Sequence, residues 1–150
     1  LYRRRQRQMC IRDRCHTHPT NTNKILCSGD IIDFASKRLF PDQVVRNGII
    51  SCVVPYATPG ILLREEIKKS VLEFIVDNGF FPKLILLKNH GIITASTSVQ
   101  EAIVSTLMCE KSAEIFIGAK MLSNIQFLTQ DEVDAVNTHP SEKYRRSLIQ

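Results

Sequence analysis

Leu84-Ile85-Leu86-Leu87-Lys88-Asn89-His90-Gly91-Ile92-Ile93-Thr94-Ala95 is the stretch that decides the fold of this 150-residue chain. Two short apolar runs, Leu84 to Leu87 and Gly91 to Ala95, have the length and composition of strands. Between them Lys88-Asn89-His90-Gly91 makes a glycine turn that displays a histidine at a strand end, where reactive groups are commonly held. Far upstream, His16-Thr17-His18 puts two imidazoles two residues apart, on one face of an extended strand. Imidazole is the commonest metal-ligating side chain. Three imidazoles without a fourth protein ligand are the pattern of a catalytic metal that keeps a position open for substrate. The plain alternative is three separate, hydrogen-bonded structural histidines. What divides the two is whether His90 folds back onto His16 and His18.

Helices alternate with these strands. After Pro19, Thr20 to Ser28 and Asp30 to Lys37 read as two helical pieces broken at Gly29. Phe40-Pro41-Asp42 reads as a turn, and Ile49 to Val54 as a buried strand. Thr58-Pro59 places a threonine to cap and a proline at the first helical position. The helix they open carries Leu63, Ile67, Val71 and Phe74 as its apolar stripe and closes at Asn78-Gly79. Ser98 with Glu101 reads as a capping box. The helix it starts is expected to bury Val104, Met108, Ile115, Ala119 and Leu122 as ordinary core. Thr129 with Glu132 is a second box, and a last helix follows Pro140. Strands alternating with helices long enough to cover a sheet predict a layered α/β domain.

Length and composition, 43% hydrophobic and 23% charged, fit one globular domain. The net charge of +5 lies wholly in the first 14 residues, where Arg3, Arg4, Arg5, Arg7, Arg12 and Arg14 face Asp13 alone. The rest of the chain is neutral, which argues against a nucleic-acid partner. Gln6 to Arg14 resembles translated sequencing-adapter read-through, so residues 1–14 are expected to be a non-native or disordered basic tip and 15–150 a partial domain. No apolar run reaches the length of a membrane span. Cys10, Cys15, Cys27, Cys52 and Cys109 show no paired spacing and read as free thiols of a cytoplasmic protein. A zinc knuckle of Cys15, His16, His18 and Cys27 would put adjacent ligands on opposite faces of a strand.

Four motifs occur in order: His16-Thr17-His18-Pro19, Phe40-Pro41-Asp42-Gln43-Val44-Val45, Val54-Pro55-Tyr56-Ala57-Thr58-Pro59-Gly60 and Leu86-Leu87-Lys88-Asn89-His90-Gly91. With Glu101-Ala102 and the tail Glu142-Lys143-Tyr144-Arg145-Arg146, the chain resembles the class II aldolase and adducin family over roughly residues 15–150. Its rhamnulose-phosphate aldolase-like branch resembles it most. The resemblance implies a three-layer α/β/α domain with a mostly antiparallel central sheet, assembled as a homotetramer. It implies a divalent metal, Zn2+ or another transition ion, held by His16, His18 and His90.

The activity so implied is an aldolase-type lyase in carbohydrate metabolism. It would cleave a sugar phosphate or related hydroxy-ketone through a metal-stabilised enediolate. A pentulose-phosphate epimerase or sugar-phosphate dehydratase of the same fold is the second reading. A non-catalytic adducin-like interaction domain is the third, disfavoured by the presence of all three histidines. The family's general base is a glutamate upstream of the histidine pair, and no matching segment precedes Cys15 here. The resemblance therefore implies a fragment that keeps its metal ligands without that base. Tyr144 is a candidate for a C-terminal tyrosine that assists proton transfer. Asn89 either orients His90 or serves the turn, Pro55 to Gly60 reads as a structural turn, and His139 reads as solvated.

Overall fold

The computed structural model describes residues 13–141. Among these residues four strands form one sheet: β1 (Asp13–Thr17), β2 (Cys52–Val54), β3 (Leu84–Leu87) and β4 (Gly91–Ser96), in the order β1-β4-β3-β2. The β1–β4 and β3–β4 pairs are antiparallel, and β2–β3 is parallel. The sheet is thus mixed, with two of its three pairings antiparallel. The helices among the described residues are α1 (Thr20–Leu26), α2 (Ile31–Ser36), α3 (Pro41–Asn47), α4 (Ile61–Asn78), α5 (Val99–Leu122) and α6 (Gln130–Thr138).

β3 explains the layering. All four of its residues are buried, and alternate side chains point to opposite faces. Leu84 and Leu86 join Ile25, Leu26, Phe34, Ala113 and Phe116, from α1, α2 and α5, in one core. Ile85 and Leu87 join Cys52, Val54, and Val71 and Phe74 of α4 in the other. A strand apolar on both faces needs cover on both, and helices supply it. The result is three layers, α/β/α.

Several elements follow the sequence closely. Gly79 ends α4 in the left-handed region at φ 78, where a residue without Cβ is unstrained. Thr129 and Glu132 make the reciprocal capping box at α6. At α5, Ser98 accepts from the Glu101 amide while the Glu101 carboxylate turns to Thr97 instead. Helical structure resumes at Pro140.

Other elements depart from it. Phe40-Pro41-Asp42 is not a free turn but the start of α3, with Pro41 in its first turn. This helix is anchored by polar side chains that give no apolar stripe. Gln43 accepts from the Leu39 amide at 2.8 Å, and Asn47 donates to the Ser105 carbonyl and hydroxyl at 2.8 and 2.9 Å. The run Ile49 to Val54 is strand only over Cys52–Val54. Ser51 is instead drawn to the end of α2, its amide donating to the Ala35 carbonyl and its hydroxyl accepting from Arg38. Arg38 is buried and also donates to the Gly48 and Ala35 carbonyls at 2.7 and 3.0 Å. Burial lowers its pKa to about 10, which leaves it charged at neutral pH.

The inner face of α5 is the largest correction. Ala102, Ser105, Cys109, Ser112, Ala113 and Phe116 are buried, whereas Val104, Ile115 and Leu122 are exposed. Small residues at helical spacing let α5 approach the sheet and α1 closely, so the helix presents its small stripe inward. At the other end of the chain β1 begins at Asp13, and Asp13 and Arg14 pair with Ser96 and Ala95. The expected tip therefore overlaps the sheet by two residues, because a ladder is made by backbone groups that composition does not report. The rest of the tip, like Cys10 and Tyr144, lies outside the described residues.

Candidate metal centre

His16 stands opposite Ile93 in the β1–β4 ladder, with Thr17 opposite Ile92. The two-residue spacing puts the rings of His16 and His18 on one face, 4.8 Å apart between centroids. His90 closes the β3–β4 turn, its amide donating to the Leu87 carbonyl at 3.1 Å. Its ring centroid lies 5.2 Å from that of His16 and 5.1 Å from that of His18. One ligating nitrogen from each ring falls within 4.8 Å of the others. The rings are therefore neighbours although 72 residues separate His18 from His90. Among the described residues no cysteine, aspartate or glutamate joins this group. Cys15 and Cys27 stay outside it, as the strand geometry requires.

Local chemistry prepares the rings. His16 Nδ1 lies 2.8 Å from the Ile92 carbonyl oxygen. A carbonyl only accepts, so in the neutral ring Nδ1 carries the proton and Nε2 is the nitrogen that can bind a metal. Burial, followed by repulsion from His16 and His18, holds the His90 ring below the usual histidine range. It is therefore neutral at pH 7. His16 and His18 are exposed and His90 half-buried, so the cluster opens to solvent.

The turn around His90 is fixed from α1. Asn89 sits at φ 55, the left-handed region that asparagine tolerates better than most residues. Its amide donates to the Leu26 carbonyl at 3.2 Å, and Asn23 Nδ2 donates to the His90 carbonyl at 3.3 Å. Asn89 thus serves the turn, and Asn23 is the side chain that reaches His90. Gly91 is the other requirement. A Cβ built on it would fall 2.5 Å from the Thr17 carbonyl oxygen and against the His18 ring. Only glycine lets β1 and the His18 imidazole come this close.

Glu110, on α5, also bears on this region. Its carboxylate accepts from the amides of Asn21 and Thr22 and from the Thr22 hydroxyl. Burial works against its charge, but those donors together outweigh it and hold the carboxyl below the usual range. No short-range pattern in the sequence marks Asn23 or Glu110 as part of this region. The signal for Glu110 was an acid beside the small stripe of α5. His139 is exposed and contacts Ser141, away from the three rings. Tyr56, Ala57 and Thr58 border a shallow depression of about 630 Å³ with Leu62, Glu65, Glu66 and Lys69, and no histidine lines it.

The sequence profile described as the Class II Aldolase and Adducin N-terminal domain matches residues 1–117. No curated protein matches the chain significantly. Among solved structures, the chain is similar to YgbL of Escherichia coli and of Klebsiella pneumoniae, each described as a candidate aldolase/epimerase/decarboxylase. Identities are 24% and 26%, TM-scores 0.65 and 0.66, with 83% and 82% of this chain covered and 56% of each relative. An L-fuculose 1-phosphate aldolase is 21% identical, with a TM-score of 0.67 over 93% of this chain and 59% of that one. The chain thus spans little more than half the length of these relatives.

Proposed function

The chain belongs to the class II aldolase and adducin family, and on that premise we propose that it works as a divalent-metal lyase. The proposed reaction is aldol cleavage of a sugar phosphate or related hydroxy-ketone, with His16, His18 and His90 as the metal ligands. The observation that carries this reading is the convergence of three imidazoles from two distant segments, joined by no carboxylate or thiol among the described residues. Such a donor set suits zinc and its first-row neighbours.

The fit can be tested by distance. Zinc–nitrogen bonds of ~2.1 Å in tetrahedral array separate the nitrogens by roughly 3.4 Å. The three ligating nitrogens lie within 4.8 Å of one another, on rings of which two are exposed and one is half-buried. Bound there, a divalent ion supplies Lewis acidity toward substrate oxygens. The chain's own residues do the rest of what is proposed. The Ile92 carbonyl fixes the His16 tautomer, Gly91 admits the His18 ring, and the α1 contacts hold the His90 turn. Aldol cleavage also needs a base for the substrate hydroxyl proton. No glutamate precedes the histidine pair in this sequence, so this reading assigns the base to no residue of the chain and keeps Tyr144 as the candidate that assists proton transfer. The proposed working form is a cytoplasmic homotetramer.

A hydroxamate that mimics an enediolate offers a direct test. The zinc-loaded protein is expected to bind it at least about 100-fold more tightly than the metal-free protein. Equal affinity with and without zinc would contradict the proposal.

A further inference from the structure

We propose that Glu110 is a positioning residue for the three-histidine cluster, acting through α1 as that helix's distant N-terminal cap. The inference rests on the metal reading above.

α1 has only seven residues, and its N-cap is Pro19, which offers no side-chain acceptor. A helix start leaves four amides unpaired, and so short a helix is marginal without outside support. Glu110 supplies the missing acceptors from 88–89 residues away: Oε1 takes the Asn21 amide at 2.8 Å, and Oε2 takes the Thr22 amide and hydroxyl, each at 2.9 Å. All three partners are donors, so an acceptor-only carboxylate satisfies them and a carboxamide does not. The acid is mounted on a firmly packed helix, beside Cys109 and near Ser112 and Ala113, all fully buried.

α1 then ties the two histidine segments together. Pro19 alone separates His18 from its first residue, and the Pro19 carbonyl accepts the Asn23 amide at 2.8 Å. From the same helix Asn23 holds the His90 carbonyl, and Leu26 holds the Asn89 amide. A hydrogen-bonded path therefore runs from the Glu110 carboxylate through α1 to the turn of His90 and the exit of His18. Releasing the cap loosens both segments at once, without touching any ring.

The experiment is cobalt(II) titration of the purified chain, followed by visible absorption, with Glu110→Gln and Val133→Ala compared with wild type. Val133 is buried in α6, so its truncation destabilises the fold without reaching α1. Glu110→Gln is expected to weaken cobalt binding by about 10–100-fold, the range for loss of a partner outside the ligand shell, and to alter the absorption band. Amide exchange at Asn89 in the metal-free protein should quicken in the same variant. Val133→Ala should keep wild-type affinity and band shape. Should Glu110→Gln not fold, Thr22→Val removes the hydroxyl donor alone and is expected to weaken binding about threefold. Wild-type affinity in Glu110→Gln, or in Thr22→Val where that variant stands in, would overturn the inference while leaving the metal reading intact. An equal loss in Val133→Ala would overturn it too, by reducing the effect to general destabilisation. Failure of the wild type to bind cobalt would remove the metal reading itself.

Discussion

His90→Ala is expected to take zinc from about one ion per chain to near none, with the far-ultraviolet circular dichroism spectrum unchanged. His90 belongs to neither hydrophobic core, and its backbone bonds to Leu87 and Asn23 survive truncation of the ring. The fold should therefore tolerate the change. The two remaining imidazoles, His16 in β1 and His18 just past its end, leave half the coordination sphere without protein. Loss of a ligand should exceed the roughly 10–100-fold penalty typical of disturbing an outer partner. Elemental analysis after dialysis against micromolar zinc measures this directly, and unchanged metal content would remove His90 from the ligand set.

Gly91→Ala should damage stability and metal binding together. The added methyl would meet the Thr17 carbonyl and the His18 ring, one of them backbone. The ladder cannot shift the backbone oxygen without opening the β1–β4 pairing beside His16. Overpacking of this kind costs about 1–3 kcal/mol, and each kcal/mol lowers Tm by roughly 2–4 °C at this chain length. We expect a Tm loss of several degrees and zinc affinity lowered by at least about tenfold, since His18 is pushed off its present position. A thermal melt and a zinc titration on one sample test both. A variant matching wild type in both would show that the glycine is not needed for the close approach.

The histidine cluster was legible in the sequence because its signal is local in chemistry. His16 and His18 share a face through spacing alone, and the Leu84–Leu87 run announces a strand whose end must display His90. The α/β layering followed from the same run, whose residues are all buried. What was not legible is what depends on contacts between distant segments. α5 offered two helical stripes, and the bulkier one, with Val104, Ile115 and Leu122, is the outer face. Choosing between them required knowing that α1 packs against α5 closely enough to need small residues. α3 stayed hidden because Gln43 and Asn47 hold it with hydrogen bonds rather than an apolar stripe. The cap from Glu110 to α1 crosses most of the chain and leaves no short-range pattern.

Zinc K-edge X-ray absorption on the loaded protein reads the ligand shell formed by His16, His18 and His90. Three imidazole nitrogens are expected at about 2.0–2.1 Å, with the remaining scatterers light oxygen atoms. A first shell of oxygen alone, or one containing sulfur, would contradict this ligand set.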